Sequence, residues 1–211
     1  MNTNALILDV AHGKDTPGKR SPDGMHREYL WSRERIANAL SNVLAYKGSL
    51  DYQIFTPFLY SENEPGRTTR VKKYNSIAKD FSNTLVISLH NDAENPNSCD
   101  AYGWGKANGA AVWTSKGQDI SDEYATDWFY FFKNRYPNQY FRQSTWEDND
   151  PDYEENFTIL AGNDNFKPKY HSFLIEWLFQ TNRDDVKKLK DPIANTYFQD
   201  IFTEYLIQLK L

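Results

Sequence analysis

The chain has 211 residues, a formal net charge of −5 and one cysteine, Cys99. That length suggests one domain, 1–211, with a sizeable core. The acidic balance excludes a general nucleic-acid binder, since no basic excess is available to neutralise phosphates, and a single thiol excludes an internal disulfide. Aromatic residues are abundant, with 14 Tyr, 13 Phe and 6 Trp, and such rings fill cores or line sugar and peptide grooves.

Ala5–Val10 reads as a short buried strand, followed by a loop over His12–Gly24 rich in Gly, Pro, Asp and Lys. Arg27–Tyr46 reads as a helix, with Ile36, Ala37, Leu40, Val43 and Leu44 at helical spacing and Gly48 just past its end. Gln53–Phe55 is a second strand, Gly66–Phe81 a second helix, and Leu85–Leu89 a central strand. Ala110–Trp113 is a short strand, and Asp119–Arg135 a helix carrying Tyr124, Trp128, Phe131 and Phe132 on one face. Tyr136–Asp152 reads as a long polar and aromatic surface loop. Phe157–Leu160 and Phe173–Glu176 read as the last strands. Asp191-Pro192 opens a final helix with a stripe of Ile193, Tyr197, Ile201, Tyr205 and Gln208-Leu209. Strands alternating with helices predict an α/β fold.

No apolar run approaches the roughly 20 residues needed to span a bilayer, so no membrane insertion is expected. Met1 is followed almost at once by the first strand, without a basic and apolar leader. The expectation is a protein made and held in the cytoplasm, or an exported one whose leader has been trimmed.

Two of the four histidines stand at the ends of strand-like runs. His12 follows Ala5–Ala11 and His90 follows Leu85–Leu89, while Glu28 opens the helix after the first strand. Two imidazoles and one carboxylate form a catalytic zinc set that keeps a fourth position open. The competing reading is that each strand-end histidine is a satisfied structural group. His26, two residues before Glu28, is the alternative third ligand.

Five stretches carry a resemblance. They are Leu8-Asp9-Val10-Ala11-His12-Gly13-Lys14-Asp15, Arg27-Glu28-Tyr29-Leu30, Arg70 with Asn75 and Ala78, Ile87-Ser88-Leu89-His90-Asn91, and Leu174-Ile175-Glu176-Trp177-Leu178-Phe179-Gln180-Thr181-Asn182. In this order they resemble the zinc-dependent N-acetylmuramoyl-L-alanine amidases, a family of bacterial cell-wall amidases and phage endolysins. The resemblance spans nearly the whole chain. It implies a twisted, mixed β-sheet flanked by helices on both faces, with one zinc at a sheet edge. It also implies that His12, Glu28 and His90 hold the zinc and that Glu176 is the catalytic carboxylate. The implied substrate is peptidoglycan, cut at the amide between N-acetylmuramic acid and L-alanine. The alternatives are a zinc peptidase acting within the stem peptide and an inactive wall-binding module; an intact Glu176 speaks against the latter. A monomer is expected, acting on the cell wall, as a phage-type lysin released through a separate pore would.

The pattern departs at Ala11 and Lys14, where the family carries glycines, at Asn91-Asp92, where Ala-Asn is common, and at His171, where a proline often stands. Lys14 and Asp92 are therefore expected to alter substrate contacts. His171 is a candidate supporting donor at the site. The Tyr- and Trp-rich segments Ala101–Trp113 and Tyr136–Trp146 are candidate groove walls, the loop Tyr136–Tyr153 otherwise being a packed surface segment. Cys99 is expected to be inert and Glu154-Glu155 to lie in a solvated loop. Lys187-Lys188-Leu189-Lys190 reads as a solvated helix end. Gly103-Trp104-Gly105-Lys106 lacks phosphate-loop spacing.

Overall fold

The computed structural model describes residues 4–144 and 149–211. Its sheet has six strands: β1 (Asn4–Val10), β2 (Tyr52–Phe55), β3 (Asn83–Asp92), β4 (Ala111–Thr114), β5 (Tyr153–Glu154) and β6 (His171–Phe179). Their spatial order is β2-β1-β3-β6-β4-β5. β2, β1, β3 and β6 run parallel, β4 is antiparallel to β6, and β5 is parallel to β4. The helices are α1 (Glu28–Ala45), α2 (Arg67–Ala78), α3 (Ile120–Arg135), α4 (Thr158–Ala161), α5 (Arg183–Lys190) and α6 (Pro192–Gln208). The sheet is thus mixed and flanked by helices, as the resemblance implied. No described helix is long and apolar enough to cross a membrane.

The central strands read as continuous apolar runs because both of their faces are covered. Successive side chains alternate between the faces. Leu6, Leu8, Val10, Leu85, Ile87, Leu89, Phe173 and Ile175 join one cluster with α1, α3 and α6, rich in Trp128, Phe132, Phe198 and Phe202. Ile7, Val86 and Leu174 face the other way, against Tyr74 and Ala78 of α2 and Ile159 and Leu160 of α4. Local signals set the helix ends. Asp119 and Asp122 form a capping box on α3, Asn182 caps α5, and Asp191 caps α6 with Pro192 in its first turn.

Three readings need correction. The Phe157–Leu160 stretch is not a strand: it enters α4, which ends at Gly162 with φ 75°. Its adjacent Ile159 and Leu160 both bury in the α2 cluster, which an alternating strand would not allow. A Cβ at Gly162 would lie 2.0 Å from the Phe166 carbonyl oxygen, so only glycine makes that turn. On α6, Ile193 and Tyr197 are exposed; the buried face runs through Phe198, Ile201, Phe202, Tyr205 and Leu206. Finally, Glu154 belongs to the two-residue β5 rather than to a loop, whereas Lys187–Lys190 do end a helix, α5, as expected.

Candidate active site

From β1 the chain passes to β2 on one side, then to β3 on the other. At such a switch point a crevice opens beyond the carboxyl ends of the strands. His12 lies just past β1, His90 lies near the end of β3, and Glu28 is the first residue of α1. The three converge there. Glu28 Oε1 is 3.0 Å from His90 Nδ1 and 3.4 Å from His12 Nε2, and the two rings meet edge to face with centroids 4.9 Å apart. One donor atom from each of the three lies within 4.8 Å of the other two.

Glu28 is wholly buried, and His12 Nε2 is a buried atom without a hydrogen-bond partner. A buried carboxylate facing two imidazoles, with one ring nitrogen unsatisfied, fits a bound cation better than a closed polar cluster. Two neutral imidazoles and one carboxylate are a donor set that suits zinc. Burial pushes the Glu28 carboxyl up, but the neighbouring His12 and His90 imidazoles outweigh it and hold the group below the usual carboxylate range. Burial likewise lowers His90, which favours the neutral imidazole that a metal needs.

Surrounding groups fix these donors. Gln180 Nε2 donates to Glu28 Oε2 at 2.9 Å and the Asn91 backbone N–H to Oε1 at 3.2 Å. Glu64 Oε2 lies 3.6 Å from His12 Nδ1. Glu64 is held in turn by Arg70 Nη2 at 3.0 Å and by the Thr16 hydroxyl at 3.2 Å. Arg70 also bonds Asp9, which accepts from Tyr74 and from the Ser88 hydroxyl. His12 itself has φ 40°, a left-handed conformation that non-glycine residues adopt at a cost of about 1–3 kcal/mol. The next residue must be glycine: a Cβ on Gly13 would lie 2.0 Å from the Glu64 backbone nitrogen.

Glu176 lies on β6 directly opposite His90. Its Oε2 is buried without a hydrogen-bond partner. Burial, then the nearby Asp92 and Glu28, push its carboxyl well above the usual range. Glu176, His12 and His90 all line one cavity of about 640 Å³, with Lys19, Arg67 and the Asn156–Ile159 stretch.

Other expected residues fall elsewhere. His26 is buried, with Nε2 2.8 Å from Asn91 Oδ1, and stays outside the donor group. His171 starts β6, paired with Leu85, five residues before Glu176 and so about 16 Å away along the strand; it packs against Tyr124. Lys14 pairs with Glu62 on the surface, and Asp92 with Arg142, so neither lines the cavity. Neither candidate wall contributes a described lining residue. Trp104 meets Arg183, and Trp113 packs on Tyr153 and Phe157; Trp146 lies outside the described residues. Sequence reasoning missed Glu64. Its signal is weak, one of two acids in the Ser-Glu-Asn-Glu-Pro run, and its role appears only when that loop folds beside Gly13.

The sequence profile of the N-acetylmuramoyl-L-alanine amidase family matches residues 6–203. No curated protein matches the sequence. Among solved structures, an N-acetylmuramoyl-L-alanine amidase from Clostridium difficile 630 superposes with a TM-score of 0.74 at 17% identity, covering 100% of both chains. The catalytic domain of CwlV, an amidase of the same kind from Bacillus (Paenibacillus) polymyxa var. colistinus, gives 0.70 at 14% identity over 96% of this chain and 98% of that one. The catalytic domain of the CD27L endolysin, which targets Clostridia difficile, gives 0.54 at 17% identity over 99% of each. At such identities these structures speak for the shared fold, whereas the profile covers almost the entire sequence: the chain belongs to the N-acetylmuramoyl-L-alanine amidase family.

Proposed function

We propose that this chain hydrolyses the amide between the lactyl group of N-acetylmuramic acid and L-alanine, with His12, Glu28 and His90 holding one zinc ion and Glu176 moving the proton. Family membership supplies the reaction. The assignment of roles is carried by one observation: three side chains able to ligate a metal converge, and two of them, His12 and His90, line a cavity whose wall also presents Glu176, opposite His90. Zinc, when bound, supplies a Lewis acid that polarises the amide carbonyl and acidifies water to a pKa of about 7.

The remaining work falls to the protein. Glu28 is kept ionised by its imidazole neighbours and aimed by Gln180 and Asn91. Glu176 is mounted on a central strand with Oε2 unpaired in the cavity wall, which places it to accept and return a proton. It takes a proton from the attacking water. As the C–N bond breaks it delivers that proton to the amine nitrogen, leaving a lactyl carboxylate and a free L-alanine amine. Lys19 and Arg67 place positive charge on the cavity wall, complementary to the carboxylates of a peptide chain. Phe157, Ile159 and Leu174 supply apolar wall surface.

Digestion of purified peptidoglycan followed by mass spectrometry tests the reading. Intact stem peptides with a free L-alanine amine, and uncut glycan strands, are expected. New amines only at D-alanine or diamino-acid positions would move the chain to the peptidases. Full zinc content with no amine released would make it a binding module.

A further inference from the structure

A second group of carboxylates lies at the far side of the sheet. Asp122 is in the first turn of α3, and Asp150 and Asp152 lead into β5. One oxygen from each lies within 4.8 Å of the other two. Asp122 and Asp152 are 6% and 2% exposed. In all three residues Oδ1 is buried without a hydrogen-bond partner. Among the described residues no lysine or arginine pairs with any of them. The helix N-terminus accounts for Asp122, whose other oxygen caps Asp119 N–H, but Asp150 and Asp152 belong to a different segment. Three like charges brought together and desolvated are unfavourable unless a cation or a proton compensates them.

We propose that Asp122, Asp150 and Asp152 form a site for a hard divalent cation, calcium by preference, that staples the segment before β5 to the start of α3. The donors are all oxygens, the chemistry that calcium and magnesium require, and the spacing lets them share an ion at about 2.3–2.6 Å. The Thr114 hydroxyl, which donates to Asp152, adds a neutral oxygen at the same place. The way in is charged to match. A cleft of about 540 Å³ beside the cluster is lined by Asp119, Asp122, Glu123 and Asp150, with no basic residue among its lining. Calcium prefers six to eight ligands and accepts irregular geometry, so water from this cleft can complete the shell. Without an ion the group must hold a proton: burial, then Asp150, push the Asp152 carboxyl up to about 9.

The staple would act on the active site through the chain. β5 has two residues and, among the described residues, pairs with β4 alone. Directly beyond it, Asn156–Ile159 form part of the wall beside Glu176. Fixing Asp150 and Asp152 therefore steadies that wall from outside the zinc site.

The zinc-loaded protein is dialysed free of calcium and magnesium, and its melting temperature is followed as calcium chloride is added, with zinc content measured in parallel. A saturable rise is expected, about 5–10 °C at a hundred times Kd, with zinc unchanged and a smaller response to magnesium. Terbium, a calcium-like probe, should show luminescence sensitised by Trp113 and Tyr153, the residues next to Thr114 and Asp152. Asp150→Asn should weaken binding at least tenfold, and the Asp150→Asn, Asp152→Asn pair should abolish both signals. No melting shift in millimolar calcium or magnesium together with no terbium signal overturns the proposal. So does an equal shift in the double variant. A double variant that is more stable than the parent, in a protein that ignores calcium, would mean that a shared proton holds the cluster.

Discussion

The two faces of the sheet are built from the same strands and do opposite things. On one face the middle residues of β1, β3 and β6, Leu6, Leu8, Val10, Leu85, Ile87, Leu89, Phe173 and Ile175, are apolar and pack in one cluster with α1, α3 and α6. On the other, Ile7, Val86 and Leu174 begin the same way, but the next positions toward the carboxyl ends are Asp9, Ser88, His90 and Glu176. Among the described helices this second face is covered by α2 and the single turn of α4, and the cavity opens beside them. A two-residue period thus separates stability from chemistry along one strand. Where polar groups are buried beneath the cavity they are tied: Asp9 is held by Arg70, Tyr74 and Ser88. Among the residues that line the cavity, His12 and Glu176 keep a buried polar atom without a partner, and these are the ones that the chemistry would use.

The largest expected effect is confined to the second face. A His12→Ala, His90→Ala variant should lose its zinc and all measurable amidase activity while keeping a native far-ultraviolet circular dichroism spectrum. Elemental analysis of protein purified without added metal checks this, and full zinc occupancy in the variant would place the metal elsewhere. Next comes Glu176→Ala, which should keep the zinc and lose about 10²–10⁴-fold in kcat, the usual contribution of a general acid or base. Its melting temperature should not fall. The carboxyl is disfavoured where it stands by burial and by Asp92 and Glu28, so its removal relieves repulsion. Loss of zinc from this variant would make Glu176 a ligand.

Much of the second face was legible because its residues sit at strand ends. His12 and His90 follow apolar runs that only a covered strand explains, and Glu28 opens a helix whose pattern is plain. The mixed sheet with helices on both faces came through the resemblance, and the strand order that makes β1 and β3 neighbours is a long-range fact. Three kinds of information stayed hidden. Phe157–Leu160 is four residues long, too short for its period to tell a strand from a helical turn. The face of α6 was misjudged because Ile193 and Tyr197 are apolar yet exposed, while Phe198 and Phe202 meet Trp177 and Phe132 across the core. Glu64 and the acidic cluster depend on loops meeting far from their sequence neighbours, and Trp104 and Trp113 of the Ala101–Trp113 segment, expected as a groove wall, pack against Tyr153, Phe157 and Arg183.

The first face is tested by Phe132→Ala. This ring is fully buried, with centroids 4.6 Å from Trp128, 5.6 Å from Phe198 and 5.8 Å from Trp177. Such rings cannot collapse into the space left, so the variant should lose about 3–5 kcal/mol of folding stability. Thermal or urea unfolding measures the loss. Well below the new melting temperature, kcat and zinc content should match the parent. A kcat that falls with zinc retained would show that the two faces are mechanically coupled.

The smallest effect sharpens the comparison at the border between a tied group and a reactive one. Glu64→Gln keeps the shape of the side chain and removes its charge beside His12. Outer groups that orient a ligating histidine typically contribute 10–100-fold in metal affinity, so zinc should bind that much more weakly, while the rate per zinc-loaded enzyme stays near that of the parent. The same charge has a pH signature. Burial pushes the Glu64 carboxyl up, but His12 and Arg70 outweigh it and bring it down to about 2, from an ordinary 4.5. A depressed carboxylate stabilises the fold above its unfolded pKa, and that contribution is lost as protons bind the folded form. In zinc-free protein the melting-temperature gap between parent and Glu64→Gln should therefore be full above about pH 5 and shrink as the pH falls through 4.5 toward 2. A gap that does not change with pH would mean that Glu64 acts by shape and hydrogen bonding to Thr16 alone, and that its charge does nothing for His12.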